Sequence, residues 1–594
     1  MKTIKIFAVA ACTAVLSLTS CYDLERNPEG QLSSGSMFQN EEQAKEVMMG
    51  VYQMMHNDNV LGFNYCYDGL GGISYLRNAT ALQPYVTGNV ASNWGHSSNK
   101  WAALYEGITR ANILLQNVDK CDMSEALIAQ YKGEARFMRG FYYWQLLNFF
   151  GGVPIYDESV VISENVFDLM LPRSTMDEVR SFIIADMDAA AAVLPDEWDT
   201  ANYGRATKWA AIALKGEAHM YAFNVAGAPD HSAANWSEAE KCFSQLISSG
   251  KFALYPDYAA LFVPSGMSLN GVAGGDCSNE MIFALQNMSV TGQENGISTT
   301  FHCGTRASYG SSWNDVMVSS SFADAYEYAD GRPFDWDEIY PGFTTDDAVK
   351  HRVFDSEAEV VSNITVVKSY SPERDALRAM YASRDPRMNA SLITPYADYL
   401  SWYNNAPMPA EYLVLADQSL IKDGSGFIRS DGNFQCYYWR KFVAEGDWNG
   451  LITNRAHTPM NYPIIRYADV LLREAECLNE LDKQPEAVTY INMVRERVNM
   501  PGINSGESYL AANSKEEVAA RIRHERMVEL ANEGHRFFDM KRWGLLESFN
   551  GRSEYPLNGG KPYYTNSINA QSYLFPIPLG EIDKNPDLTQ NPGY

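Results

Sequence analysis

Past its first twenty residues, this 594-residue chain lacks any uninterrupted apolar run long enough to cross a bilayer. It also lacks paired cysteines. Nine occur, all standing singly, and the missing C-x-x-C excludes zinc ribbons and thioredoxin-type redox chemistry. A disulfide between Cys277 and Cys303 stays open. Catalytic signatures are absent too: no G-x-S-x-G, no H-E-x-x-H, no Walker loop and no G-x-G-x-x-G. Ser97-Ser-Asn-Lys100 fits S-x-x-K but has no companion motif. The nine histidines never fall at i, i+4, so a helical metal site is not expected. Positive charge is scarce: 47 Lys and Arg face 73 Asp and Glu, a net charge of −26, which argues against nucleic acid or anionic lipid as partner. Aromatics are plentiful, with 36 tyrosines and 12 tryptophans, and they need a role.

The amino end has the three-part layout of a secretory signal over residues 1–20. Lys2 and Lys5 precede an apolar run from Ile6 to Leu18, followed by small residues. Leu18-Thr19-Ser20-Cys21 looks like a lipobox, in which the Cys21 thiol takes diacylglycerol and becomes the new terminus. Tyr22 rather than Asp follows it, which by the usual bacterial sorting pattern permits export to the outer membrane. Acyl chains there would anchor a water-soluble body, each buried methylene contributing about 0.8 kcal/mol. Residues 21–36 then form an Asn/Pro/Gly/Ser tether.

Helical periodicity dominates from there to residue 250. Ala44, Val47, Met48, Val51 and Met55 share one face behind a cap at Asn40. A second helix carries Trp101, Leu104, Ile108 and Leu115, and a third runs from about Glu125 to Phe150, stopped at Gly151-Gly152-Val153-Pro154. Thr175 with Glu178, and Ser237 with Glu240, read as capping boxes for further helices. Between them Trp209, Ala213, Leu214, Glu217, Met220 and Tyr221 make a helix rich in small residues, which suits close packing, as in a tetratricopeptide unit. The design recurs at 467–498, where Pro485 opens the second helix, and a last helix starts at Ser514/Glu517. Residues 251–460 read as irregular, with short helices near Ser321–Tyr328 and Pro372–Ala382, and 461–550 as helical. The tail, 573–594, reads as extended along the body.

Several segments carry a family resemblance. They are Gly133-Glu-Ala-Arg-Phe-Met-Arg-Gly-Phe-Tyr-Tyr-Trp through Gly152-Val-Pro, Ser383-Arg-Asp-Pro-Arg-Met388, and Tyr462-Pro-Ile-Ile-Arg-Tyr-Ala-Asp-Val-Leu-Leu-Arg-Glu-Ala-Glu476. To these add Asn532-Glu-Gly-His-Arg-Phe-Phe-Asp-Met-Lys-Arg-Trp-Gly544, and Phe575-Pro-Ile-Pro through Asn591-Pro-Gly-Tyr594. In order and together they resemble the SusD/RagB family, surface lipoproteins of Bacteroidetes. The resemblance implies a mainly α fold with four tetratricopeptide-like helix pairs against an irregular, loop-rich ligand-binding half. It splits the chain into a helical region, 37–250, and a C-terminal region, 251–594. It implies a non-catalytic glycan-binding protein on the cell surface, held to outer-membrane lipid through Cys21. Its partner would be a SusC-like TonB-dependent transporter; peptide cargo, or a purely scaffolding role, stays an alternative.

A pyranose offers a weakly polar C–H face and a rim of hydroxyls, so its site should interleave stacking rings with planar amide, guanidinium or carboxylate groups. Two loop stretches fit. Residues 65–96 supply Tyr67, Arg77, Asn78, Tyr85, Asn93 and Trp94; residues 293–316 supply Arg306, Tyr309, Trp313 and Asn314. Trp402 and Trp448 lie further afield. Asp335-Trp336-Asp337 reads as a hydrolytic carboxylate pair, as calcium ligands, or as a solvated acidic loop. No cofactor is expected, with a structural calcium left open. His535 and Asp539, among Arg536, Lys541 and Arg542, read as a buried ion-pair network.

Overall fold

The computed structural model describes residues 37–77, 81–160, 169–223, 230–288 and 290–594; the leader, Cys21, the tether and Asn78 lie outside them. Helix outweighs strand, 46% to 11%, which makes the chain mainly α. Helix α1 (Glu41–Gln53) is capped by the Asn40 side chain, which accepts from the Gln43 amide at 3.1 Å, and buries Ala44, Met48 and Val51. Helices α2 (Gly95–Asn117) and α3 (Glu125–Phe150) follow, α3 ending at Gly151 with φ +74°. Thr175 and Glu178 close a reciprocal capping box on α4 (Met176–Ala191). Helix α5 (Lys208–Met220) lies so close to α6 (Trp236–Ser248) that a Cβ on Gly216 would sit 2.7 Å from the Phe243 ring. Asn235, accepting from the Glu238 amide, caps α6, two residues earlier than the Ser237/Glu240 pattern suggested.

After a long excursion the helices resume as α7 (Tyr467–Glu480), α8 (Gln484–Arg497, Pro485 in its first turn), α9 (Lys515–Glu529, boxed by Ser514 and Glu517) and α10 (Arg536–Arg542). Helix α6 packs directly on α7, so the stack is continuous in space although residues 249–466 leave it and return.

The excursion is less irregular than its composition suggests. Its first sheet pairings join β2 (Met281–Leu285) and β3 (Val316–Val318) to strands outside it or at its end; β1 (Ser74–Leu76), from the amino-terminal region, and β3 run antiparallel with Ser74 opposite Val318. Two hairpins follow, β4 (Glu357–Val361) with β5 (Ile364–Ser369) and β6 (Asp398–Tyr403) with β7 (Ala406–Glu411). Asn404 and Asn405 turn the second with φ +48° and +59°, the left-handed pair that a two-residue hairpin turn requires. Strand β8 (Tyr462–Arg466) pairs with β2 and leads straight into α7. The seven described cysteines are free, so Cys277 and Cys303 are not joined. The tail lies on the body, where the Phe575 amide donates to the Phe149 carbonyl at 2.6 Å, but a short helix, Leu579–Lys584, interrupts its extended run.

Excursion and helices meet at a buried charge network. The Arg466 guanidinium, wholly buried at the end of β8, donates to Glu533 at 2.7 Å, to Glu280 at 2.8 Å and to Glu529 at 2.7 Å. Lys441 reaches Glu533 at 2.6 Å, and Arg497 pairs with Glu529. Arg387 joins Asp385, Glu525 and Glu529 at 2.7, 2.9 and 3.2 Å. Arg495 pairs with Glu525 and reaches Glu327 at 2.9 Å, where Arg521 also arrives. Six carboxylates thus balance six cations. A second cluster contains two members of the expected network: Asp539 takes Arg526 at 2.8 Å and Arg542 at 2.9 Å, Arg526 reaches Asp469 at 2.7 Å, and Arg542 grips Glu476, whereas Lys541 donates to the Asn148 carbonyl and His535 and Arg536 join no ion pair among the described residues.

Breaking such a network leaves an uncompensated buried charge, which costs about 3–5 kcal/mol. Arg466→Met is therefore expected to lose about that much stability in urea unfolding; an unchanged midpoint would show that the network contributes little. Burial alone would raise Glu525, but Arg387 and Arg495 hold it down to about 2. Asp539, held by Arg526 and Arg542 against the same effect of burial, is likewise at about 2. These carboxyls lie below their unfolded values of roughly 4, so the unfolded chain takes up protons first as pH falls. The stability these two carboxyls contribute is therefore present above about pH 5 and lost as pH falls between about 4 and 2, a fall that a urea series across that range checks.

Candidate functional site

The loop that follows Cys303 is built to hold one ring out. Within it the Trp313 amide donates to the Phe301 carbonyl at 2.9 Å and the Asn314 amide to Gly304 at 2.7 Å. Gly310, Ser311 and Asn314 take left-handed φ values of +67°, +58° and +40°, which turn the chain sharply enough to expose Trp313 by 39% while the neighbouring Asn314 is wholly buried. The Asn314 side-chain oxygen accepts from the Asp431 amide at 2.5 Å, fixing a second loop beside the first.

Asp431 is the joint between them. Arg77, leaving β1, donates to its carboxylate at 2.7 Å; Arg306 donates from Nε at 3.0 Å and from Nη2 at 2.5 Å. Partial burial would raise the Asp431 carboxyl, yet Arg306 and Arg77 hold it below the usual range. Arg77 also donates to the Trp313 carbonyl at 2.6 Å. Arg455 closes the far side, bonding the Gly310 and Ser311 carbonyls at 2.5 and 2.8 Å with its guanidinium 4.5 Å from the Phe301 ring centre.

Rings continue from Trp313 across the seam to the helical half. Successive centroids lie 4.7 Å apart from Trp313 to Phe301, 4.8 Å to His302, 6.4 Å to Phe63, 6.1 Å to His96 and 5.1 Å to Trp94. A side branch leaves the same loop, with the half-buried Tyr309 ring 5.3 Å from Trp402, whose own amide donates to the Ala307 carbonyl at 2.8 Å. Trp402 sits on β6 opposite Pro407. His96 in this run is buried, and the rings left partly open, Trp94, Tyr309, Trp313 and Trp402, can stack the flat faces of a ligand beside the guanidiniums.

Of the residues selected from the sequence, Trp313, Tyr309, Arg306 and Arg77 are brought together here, and Trp94 ends the strip with the exposed Asn93 beside it. Trp94 stands immediately before α2, because that helix begins at Gly95 rather than near Trp101. Its ring is half-buried, 5.0 Å from Phe575 in the tail. Three selections need correction. Tyr67 is buried, its hydroxyl 3.3 Å from His96 Nε2; Tyr85 is buried with its hydroxyl on the Ser572 carbonyl; Asn314 serves as frame. Asn78 lies outside the described residues, and Trp448 is buried away from the surface. Phe63 and Phe301 escaped the sequence reading, although Phe301 sits inside the Gly/Ser-rich stretch that flagged its neighbours.

Other candidates resolve into structure. Ser97 donates to the Pro576 carbonyl at 2.5 Å while Lys100 donates to the Asn59 and Val60 carbonyls at 3.0 and 3.1 Å, so the S-x-x-K match forms no hydroxyl–amine pair. Asp335 caps the Asp337 amide at 2.9 Å, and Asp337 is occupied by the Thr344 amide and hydroxyl. Among the described residues, no three His, Cys, Asp or Glu side chains converge as a metal site.

Comparison with known proteins gives two family matches. Residues 279–594 match the model described as the SusD family, and residues 24–217 one described as starch-binding and associating with the outer membrane. A SusD-like protein of Formosa agariphila is 27% identical, with 98% of each chain aligned. The starch-binding protein SusD of Bacteroides thetaiotaomicron is 22% identical over 84% of this chain and 80% of its own. Among solved structures, a SusD-like protein from Bacteroides fragilis superposes with a TM-score of 0.72 at 20% identity, covering 96% of this chain and all of that one. A laminarin-binding SusD-like protein gives 0.60 at 20% identity over 94% of this chain. These structural likenesses are of fold, and they match the helical stack with its loop-rich excursion.

The clamp on Asp431 is open to test. A partly buried, charge-assisted joint contributes about 1–2 kcal/mol. Asp431→Ala is thus expected to speed amide exchange across residues 304–314 by about 5- to 30-fold, read by hydrogen–deuterium exchange. Unchanged protection would mean that backbone bonds alone hold the loop.

Proposed function

The chain belongs to the SusD family, and from that membership we propose that it is a lipid-anchored glycan-binding protein of the outer-membrane surface. It captures oligosaccharide on the strip from Trp94 to Trp313 and its Tyr309–Trp402 branch, without cleaving it, for a SusC-like TonB-dependent transporter. The carrying observation is the ring strip itself, exposed at Trp313 and edged by Arg306, Arg77 and Arg455. Rings present flat faces to C–H-rich sugar surfaces, and guanidiniums bond vicinal hydroxyls in pairs. Two relatives named for what they bind, starch in one case and laminarin in the other, support a glycan as cargo. Association with the outer membrane follows the second family description, and the Cys21 lipobox supplies the means.

Affinity for each sugar unit should be modest, since water competes for every hydroxyl. Titrating the purified protein with soluble polysaccharides should quench tryptophan emission for the right glycan. Trp313→Ala and Trp402→Ala should each weaken binding about tenfold, the loss of roughly one stacking contact. Parental affinity in both variants would displace the site, while saturable peptide binding beside a silent glycan panel would change the cargo. In cells, Cys21→Ala should leave the membrane fraction, as measured by fractionation.

A further inference from the structure

Sharing no residue with the aromatic strip, a cavity of about 60 Å³ lies inside the helical stack, where α3, α5, α7 and α10 converge. Four of the side chains around it each carry a buried polar atom that has no hydrogen-bond partner among the described residues. They are Gln145 Oε1, Asn148 Oδ1, the Tyr221 hydroxyl and His535 Nε2. Gln145, Asn148 and Tyr221 are only 8%, 3% and 1% exposed.

The four atoms come from separate elements. Gln145 and Asn148 stand three apart in α3 and so share a face of it. Tyr221 ends α5, and His535 stands immediately before α10. Two of them are fixed in direction. The Asn148 amide nitrogen donates to the Trp144 carbonyl at 2.8 Å, which leaves the amide oxygen over. The Tyr221 ring packs edge-on against Trp144 and Phe223, with centroids 5.5 and 4.6 Å away. Burial lowers the His535 imidazole, with Asp469 and Glu533 acting against it, so near neutral pH one ring nitrogen keeps a lone pair.

The charged residues around the cavity balance one another. Arg473 meets Glu217 at 3.2 Å and Arg542 meets Asp539 at 2.9 Å, two cations for two carboxylates. An ion would find no charge left over to hold it. An apolar occupant would leave four buried polar atoms unpaired, which folded proteins avoid. Water suits both conditions, being neutral, about 30 Å³ in volume and able to bond roughly two to four polar partners.

We propose that this cavity is a binding site for about two water molecules, which bridge Gln145 and Asn148 to Tyr221 and His535 as a constant part of the fold. Water donates to the amide oxygens and to the imidazole, and it can donate to or accept from the phenol. His535 thereby ties the start of α10 to α3 by hydrogen bonding, in a neighbourhood otherwise held by ion pairs.

Tyr221→Phe tests this by the sign of its effect, because it removes only a hydroxyl without a protein partner. If water bonds the hydroxyl, the variant forfeits a hydrogen bond and its urea midpoint falls; if nothing does, it sheds an unpaired buried group and the midpoint rises. The expected result is a fall. A crystal structure of the full chain should show at least one density peak in the cavity, about 2.6–3.2 Å from two or more of the four atoms. Crystals soaked in rubidium chloride should give no anomalous signal there. A cavity without density, a rubidium signal inside it, or a midpoint unchanged or raised in Tyr221→Phe would overturn the assignment.

Discussion

Arg466 is the pivot of the molecule. It is wholly buried, it ends the strand that brings the excursion home, and it touches three glutamates from two distant parts of the chain. Six carboxylates and six cations around it are matched so closely that each position is defined by the others. Such arrangements contribute little net stability compared with an apolar core of the same volume. What they contribute here is register: β8 can enter α7 at only one height, because any slip would strand a charge away from water. The helices that pack around this point inherit their alignment from it.

That fixed seam explains how a loop-rich surface can be rigid enough to bind. The strip of rings crosses from the helical half, at Trp94 and Phe63, to the excursion, at Phe301 and Trp313. Its two ends belong to parts of the chain more than 200 residues apart, so their spacing depends on the seam beneath them. Close to the surface the Asp431 clamp does locally what Arg466 does at depth, joining two loops through one carboxylate and two guanidiniums.

The helices were legible because each signal is local. Asn40, Thr175/Glu178, Pro485 and Ser514/Glu517 cap or open the helices that their spacing suggests. Where the reading failed, distant partners decided the outcome. The polar run Gly95-His-Ser-Ser-Asn-Lys100 looks like a loop, yet it is helical because the tail accepts from Ser97 and two backbone carbonyls accept from Lys100. Half of the proposed site was visible in the Gly/Ser-rich frame around Arg306, Tyr309 and Trp313. Residue type alone could not separate Tyr67 and Tyr85, buried with engaged hydroxyls, from rings left at the surface. Phe63 and Phe301 were missed because phenylalanine reads as ordinary core.

The ring of Phe575, only twenty residues from the carboxyl end, props Trp94 from below and touches Phe149 in α3. The Tyr85 hydroxyl and the Ser97 hydroxyl are likewise tied down by Ser572 and Pro576. The amino-terminal part of the platform is therefore finished by residues hundreds of positions downstream. A ribosome that has made every helix of the stack has still to make this prop, so the platform is completed only after the helices that carry it.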